Sequence, residues 1–185
     1  MSLLKCAVSN TGPMLSVFQS EQVVLLKSLY DQIYIPASTL AEYMKHEAGA
    51  LIQELVDTGF VIVCDLSESE KETAKRISEE IAAHSLTKDK APQNHYPEAE
   101  AIVLIERSEL QALEILLDEQ AAREVARARK LSVVGFPGLL VRACKAGQIT
   151  PEDVRDSMRK CVSFGTHYST DLIEGVYHRL KEELK

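Results

Sequence analysis

SNTGPML, at residues 9–15, is the stretch that decides the fold, because a short apolar run ends there and polar residues follow at once. The preceding run, residues 5–9, is predicted to be a strand. Gly12 and Pro13 then suit a tight turn into a helix that starts at Pro13. The stretch therefore joins a predicted strand to a predicted helix, with Asn10 at the junction.

A second apolar run, residues 115–117, ends in the same way, in Asp118 and Glu119. In parallel α/β sheets the ligand crevice lies outside the carboxyl ends of the strands, near the point where the strand order reverses. We therefore expect Asn10 and Asp118 to converge there. An alternative interpretation leaves both residues as turn or helix-capping residues with no further role.

The alternation of short strands and helices continues along the chain. Five short strands separated by helices imply an α/β fold with a parallel sheet that helices cover on both faces. The polar segment 84–97 is predicted to be a loop that borders the site. The predicted strands span 5–9, 32–35, 60–64, 114–117 and 132–134. The predicted helices span 21–30, 38–46, 50–58, 67–83, 98–108, 119–130, 139–145, 151–161 and 170–184.

Length and composition predict one domain. The chain has 185 residues, of which 45% are hydrophobic, which is enough for a core. We assign residues 1–185 to a single domain, with its core at about 5–147 and a C-terminal helical extension at 148–185. Four widely spaced cysteines indicate neither a zinc site nor a disulfide framework. The sequence has no signal-peptide pattern and no apolar run of membrane length, so a cytoplasmic protein is expected.

Charge is unevenly distributed along the sequence. The net charge of −7 argues against a protein that coats nucleic acid. Residues 1–122 carry a net charge of −11, whereas residues 123–160 carry nine Lys and Arg against four acidic residues, a net charge of +5. A basic face beside an acidic pocket would suit a phosphodiester substrate. A solvated face with cations in the last turns of helices explains the same pattern and stays open.

Several other chemistries lack support in the sequence. The five histidines show no metal-ligand spacing. Neither a G-x-S-x-G elbow nor a phosphate-binding G-x-x-x-x-G-K loop is present, so acyl transfer and nucleotide hydrolysis are not indicated. The glycine-containing segment 135–138 is predicted to be a turn.

Five motifs in a fixed order carry a family resemblance. The chain resembles a PIN domain, in particular the bacterial and archaeal branch whose opening motif is similar to DTGPL. Each motif is weak alone, and their common order makes the signal specific. The match runs from about residue 5 to residue 147. The motifs are SNTGPML (9–15), IPASTLAE (35–42), YPEAEAI (96–102), LLDEQAAREVA (116–126) and VVGFPGLL (133–140).

The resemblance implies a three-layer α/β/α fold and, in active relatives, hydrolysis of RNA by acidic residues that hold Mg²⁺ or Mn²⁺. Glu42, Glu98 and Asp118 fall on the acidic positions of the pocket and are the implied catalytic and metal-binding residues. Glu100 and Glu119 are neighbours that could join them or substitute for them. Such ions prefer oxygen ligands and lower the pKa of an attacking water.

Asn10 departs from the family pattern, which has Asp at this position. An amide oxygen can face a hard cation, but it adds no charge, and the amide also presents an NH₂ donor. We therefore expect weaker metal binding than in a pocket of four carboxylates. Three outcomes stay open: a slow enzyme, an enzyme that relies on Glu100 or Glu119, and a domain that binds without cutting.

The acidic residues also have plainer interpretations. Glu42 would usually face solvent, and Glu98 and Glu100 lie in a first helical turn, where the helix dipole favours acids. Between the latter two we favour Glu98, because it shares a helix face with Ile102 and Ile105.

Contacts to nucleic acid are assigned to Thr11, Arg123 and Arg127. Arg123 could instead anchor its helix or pair with a carboxylate of the pocket. Glu119 could likewise be only a first-turn acid of its helix.

The sequence and the family resemblance leave two functional hypotheses. The first is a metal-dependent endoribonuclease, as the toxin of a toxin-antitoxin pair, which would have an antitoxin protein as its partner. The second is a catalytically degenerate PIN domain that binds RNA or a protein partner without hydrolysis. The resemblance also allows a homodimer, in which the apolar stripe of helix 170–184 would form an interface; the same stripe could pack against its own domain.

Overall fold

Five parallel strands form one sheet at the centre of the computed structural model, which describes residues 4–45 and 48–184. The strands are β1 (Cys6–Ser9), β2 (Gln32–Pro36), β3 (Val61–Cys64), β4 (Ala112–Leu116) and β5 (Val133–Val134). The helices are α1 (Thr11–Gln19), α2 (Val23–Leu29), α3 (Ala37–Tyr43), α4 (Gly49–Asp57), α5 (Glu68–Ala83), α6 (Tyr96–Ile105), α7 (Gln120–Ala128), α8 (Phe136–Lys145), α9 (Pro151–Ser163) and α10 (Thr170–Glu183).

The strand order reverses between β1 and β4, at the middle of the sheet. The order is β3-β2-β1-β4-β5, so the chain builds outward from β1 and then returns to its other side. The register pairs Ser9 with Leu116, and the backbone N–H of Asn10 donates to the backbone carbonyl of Leu116 at 3.4 Å. Ligands of such sheets bind outside the carboxyl ends of the strands at this reversal. Asn10 and Asp118, which follow β1 and β4, therefore flank the expected crevice.

Alternating side chains of the strands divide the core into two halves. Ala7 packs with residues of α1 to α4 and α8 to α10, whereas Val8 packs with residues of α5, α6 and α7. Tyr34 and its neighbour Ile33 divide between the two halves in the same way. A parallel sheet that is buried on both faces needs this pattern. The predicted three-layer α/β/α fold with a five-stranded parallel sheet is confirmed.

Three helices begin two or three residues earlier than predicted, each with a proline inside its first turn. α1 begins at Thr11 rather than Pro13, and α6 begins at Tyr96. α8 begins at Phe136, so the prediction of a turn at residues 135–138 is wrong. The backbone N–H of a first-turn residue has no partner within the helix, and the φ of proline suits this position. Proline therefore marks the inside of these helices rather than their boundary.

The remaining predicted boundaries agree with the structure to within one helical turn. The predicted end of helix 38–46, at His46, lies outside the described residues. The predicted loop 84–97 contains a short 3-10 helix, Pro92–His95, directly before α6. In the described part of the chain, no helix is both long and apolar enough to cross a membrane.

The C-terminal helices α9 and α10 pack beside α8. Ile173 and Leu180 of α10 are buried in the core, and Val176 packs partly against it. Leu172 is 44% exposed. Of the two roles expected for the apolar stripe of helix 170–184, packing against its own domain is the one that the structure shows.

Candidate active site

Asn10 lies at the N-cap position of α1, directly after β1. Its side chain makes no capping hydrogen bond there. Instead, Asn10 Nδ2 donates to Glu98 Oε1 at 3.0 Å, so two residues that are 88 positions apart in sequence meet at the carboxyl edge of the sheet. The interpretation of Asn10 as only a capping residue is therefore wrong.

Glu98 lies in the first turn of α6, with its carboxylate turned toward β1. Glu98 Oε2 and Asn10 Oδ1 are both buried, and neither has a hydrogen-bond partner among the described residues. Burial raises the pKa of the Glu98 carboxyl, and the negative charges of Glu119 and Glu42 raise it further. A buried oxygen without a partner costs free energy. The two oxygens therefore indicate a place where water or a hard cation binds.

Asp118 follows β4, and its two carboxylate oxygens have different surroundings. Its Oδ1 accepts the backbone N–H of Phe136 at 2.8 Å, so Asp118 does cap a helix, α8. Its Oδ2 accepts a long contact of 3.5 Å from the hydroxyl of Tyr168. Burial raises the pKa of Asp118, and these hydrogen bonds and the charge of Arg123 only partly oppose the rise. One oxygen of Asp118 is thus largely available to a ligand.

Glu42 is held at the edge of the pocket by the residue that follows Asn10. The hydroxyl of Thr11 donates to Glu42, so this hydroxyl is already used within the protein. Tyr43, which is fully buried in α3, donates to the carbonyl of Thr11 at 2.6 Å. The start of α1 and the end of α3 are therefore tied together around Glu42.

Glu100 and Glu119 make contacts that are separate from the pair of Asn10 and Glu98. Glu100 is buried and accepts a hydrogen bond from Ser38, which ties α6 to the first turn of α3. Glu119 is the N-cap of α7 and accepts the backbone N–H of Ala122 at 2.5 Å. Between Glu98 and Glu100, the sequence preference for Glu98 agrees with the contact to Asn10.

The side chains that converge on the pocket offer oxygen ligands, the kind that Mg²⁺ and Mn²⁺ prefer. These side chains are Asn10, Glu42, Glu98 and Asp118. Within residues 4–45 and 48–184, no three His, Cys, Asp or Glu side chains lie close enough together to hold a metal ion. The chemistry of these donors fits a divalent ion, but in this arrangement no more than two of the three carboxylates are close enough together to bind the same ion.

Most cations of residues 123–160 are paired with carboxylates, so the predicted basic face is largely neutralised. Arg123 and Lys130 are the two of the nine cations that have no ion-pair partner in the described ranges. Arg123 lies near Asp118, whose pKa its charge lowers against the larger effect of burial. The pairs are Arg127 with Glu124, Arg129 with Glu80, Arg142 with Glu114, Lys145 with Glu183, Arg155 with Asp156, Arg159 with Glu174 and Lys160 with Glu21.

Three residues that contact the acidic side chains or the backbone beside them were not predicted from the sequence. Tyr168 reaches Asp118 from the segment between α9 and α10, and no sequence signal marks it. Ser38 contacts Glu100 across α3 and α6. Tyr43 could have been suspected from its position beside Glu42.

Residues 6–182 match the model of a protein family, DUF3368, which is described as a PIN domain. No curated protein matches the chain. No solved structure matches it either.

Proposed function

Since the chain belongs to the PIN-domain family, we propose that it is a metal-dependent endoribonuclease in which Glu42, Glu98 and Asp118 are the catalytic and metal-binding residues. Asn10 joins them as a neutral oxygen ligand. PIN domains are in general nucleases and typically depend on divalent metals. The proposal adds RNA as the substrate and names the residues that hold Mg²⁺ or Mn²⁺.

One observation carries this proposal: Asn10 Oδ1 and Glu98 Oε2 are buried at the reversal of the strand order, and neither has a hydrogen-bond partner among residues 4–45 and 48–184. Gly12 leaves space beside them. A methyl group on Gly12 would lie 3.9 Å from Asp118 Oδ2 and 4.0 Å from Asn10 Oδ1. Asp118 Oδ2 and Asn10 Oδ1 therefore lie beside the same glycine, at the place where α/β sheets bind their ligands.

The residues have distinct roles in the proposed reaction. A divalent ion bound by these oxygens would lower the pKa of the attacking water and neutralise charge on the scissile phosphate. Glu98 and Asp118 face the pocket from α6 and from the end of β4. Thr11 and Tyr43 hold Glu42 before any substrate binds. Such preorganisation lowers the cost of placing the reacting groups.

Asp118→Asn tests the proposal. Asn at this position can still accept the Phe136 N–H, so the fold is expected to survive while the negative charge is lost. We expect Mn²⁺-dependent cleavage of a mixed RNA pool to fall about a hundredfold, together with Mn²⁺ affinity in a calorimetric titration. Asp156→Asn, on the exposed side of α9, removes the same charge and should leave both unchanged. Undiminished cleavage by Asp118→Asn would contradict the proposal.

A second candidate, binding of RNA or a protein partner without hydrolysis, is favoured by the bond between Asn10 and Glu98. The amide already occupies one oxygen of Glu98, and it brings no charge to the pocket. A purified wild type that binds RNA but shows no Mn²⁺-dependent cutting would support this candidate. Cutting that persists through purification and disappears in Asp118→Asn would exclude it.

A toxin role with an antitoxin protein as partner stays a prediction from the family resemblance, and so does the homodimer. The cytoplasmic location stays a prediction from the sequence, which has no signal-peptide pattern and no apolar run of membrane length. None of them is needed for the proposed chemistry.

A further inference from the structure

A shallow groove of about 320 Å³ runs along the outer face of α7. Gln120, Arg123, Glu124 and Arg127 of α7 line one side, and Leu86, from the segment after α5, lines the other. The spacing of the four α7 residues places them on one helix face. Because α7 begins two residues after Asp118, the groove starts at the edge of the candidate active site.

Arg123 is a groove residue whose guanidinium group has no protein partner among the described residues. Its Nε is buried and has no hydrogen-bond partner in the described part of the chain. A methyl group on Gly135 would lie 2.8 Å from Asp118 Oδ1 and 3.3 Å from Arg123 Nη1, so both side chains lie against the same glycine. Nevertheless, no Arg123 nitrogen lies within 4.0 Å of a carboxylate oxygen in the described ranges. The guanidinium is therefore held beside the pocket with donors left for a ligand.

The other groove residues have chemistry that matches a nucleotide. Arg127 lies one turn after Arg123 and pairs with Glu124 at 2.5 Å, with both side chains nearly half exposed. Exposed ion pairs of this kind are weak, so a phosphate can compete with Glu124 for Arg127. Leu86 is 52% exposed and offers an apolar contact to a ribose or a base.

On the basis of the proposed function, we propose that this groove binds the backbone of the RNA strand next to the cleavage site, with Arg123 contacting the phosphate closest to Asp118. Guanidinium groups bind phosphate through two parallel N–H donors. In Arg123 the two Nη groups would supply them, because Nε is buried. Glu124 acts against this binding, because it competes for Arg127 and repels the phosphate. Arg123 is thus a substrate-binding residue rather than an anchor of α7.

The test measures binding separately from cleavage, by fluorescence anisotropy of a labelled single-stranded RNA in EDTA. Arg123→Gln is expected to weaken binding about tenfold and to reduce the slope of log affinity against log salt by about 0.7, the value for one phosphate contact on a single strand. Arg123→Lys should restore the salt slope and only part of the affinity, because lysine keeps the positive charge but lacks the two parallel N–H donors of the guanidinium. Glu124→Gln should tighten binding.

Arg179→Gln is the matched control, since Arg179 is an exposed cation on α10 that pairs with Glu183. Equal affinities for Arg123→Gln and Arg179→Gln would overturn the proposal. So would a loss of Mn²⁺ affinity in Arg123→Gln with unchanged RNA affinity, since Arg123 would then act only through Asp118. RNA binding that depends on Arg123 in a protein that never cleaves would refute the nuclease and leave the groove assignment intact.

Discussion

Strand β4 carries one buried carboxylate, that of Glu114, and ends beside a partly buried one, that of Asp118, and the two are paired very differently. Glu114, at the middle of the strand, accepts two hydrogen bonds from Arg142, at 2.5 and 2.8 Å, and one from the hydroxyl of Tyr30. Asp118, beyond the carboxyl end, accepts one backbone N–H and one long contact from Tyr168. Glu114 is buried and Asp118 is partly buried, but only Glu114 has both oxygens occupied by short hydrogen bonds.

The pKa values of the two groups follow this difference in pairing. Burial by itself raises the pKa of both carboxyls. At Glu114 the hydrogen bonds from Arg142 and Tyr30 outweigh burial, and its pKa is lowered. At Asp118 burial outweighs the hydrogen bonds, and its pKa is raised. A saturated buried carboxylate serves the fold, whereas an incompletely paired one at the carboxyl edge is available to a ligand.

The largest expected effect is at the saturated carboxylate. Arg142→Met leaves Glu114 buried and without its ion pair, so the free energy of unfolding should fall by about 3 kcal/mol. Urea denaturation measures this change. Arg159→Met breaks the more exposed pair with Glu174 and should cost less than about 1 kcal/mol. Equal losses in the two variants would remove the distinction between the saturated carboxylate and an ordinary surface pair.

An intermediate effect is expected where an amide replaces a carboxylate in the pocket. In Asn10→Asp, measured in EDTA, repulsion replaces the hydrogen bond to Glu98, and the free energy of unfolding should fall by about 1–2 kcal/mol. Mn²⁺ should reverse this loss, because replacing the neutral ligand by a charged one should tighten binding of the ion about tenfold.

Asn10→Ala is the control for this change, since it removes the same hydrogen bond without adding charge. Thermal unfolding with and without Mn²⁺ compares the three proteins. If Asn10→Asp is as stable as the wild type in EDTA and Mn²⁺ does not raise its unfolding temperature, the Asn10 amide affects neither the stability of the site nor its metal affinity.

The smallest expected effect is at a paired carboxylate near the surface. Two hydrogen bonds from Arg107, with those from Ser67, lower the pKa of Glu70 to about 2. A carboxyl whose pKa is lowered on folding stabilises the protein above its unfolded pKa of about 4.3 and loses that contribution as the pH falls toward 2. Solvent screening limits the contribution to about 1 kcal/mol.

Arg107→Gln should remove most of this dependence on pH. Urea denaturation between pH 5 and about pH 2 is the measurement, and the curves of the two proteins should converge at the acidic end. Parallel curves over the whole range would show that Arg107 does not hold Glu70 ionised.

Local patterns were sufficient to predict the fold, whereas the position of the site stays a prediction. The alternation of short apolar runs with helical patterns predicted the parallel sheet. The polar residues directly after β1 and β4 predicted that Asn10 and Asp118 lie near each other at its carboxyl edge. Glu98 was preferred over Glu100 because it was expected beside the buried helix face, but Glu100 is the more buried of the two. It is nevertheless Glu98 that contacts Asn10. The fold prediction succeeds because it depends on residues close together in sequence and on one general property of parallel sheets.

Hydrogen-bond partners were beyond the reach of the sequence. The prediction treated Asn10 and Asp118 alike, as either ligands or caps, and the structure separates them: Asn10 reaches Glu98, and Asp118 caps α8. The predicted basic face is largely neutralised, because seven of its nine cations find carboxylates in space. Net charge along a sequence does not show which charges meet.

The sequence by itself determined the α/β alternation, the family resemblance and the set of acidic residues at the edge of the sheet. Only the tertiary structure decided which of their oxygens remain unpartnered, because the competing donors come from distant segments. Tyr168 lies 50 residues from Asp118, and Asn10 lies 88 residues from Glu98. Burial and pairing are properties of the packed chain, and they separate the carboxylates that hold the fold from those that can bind a ligand.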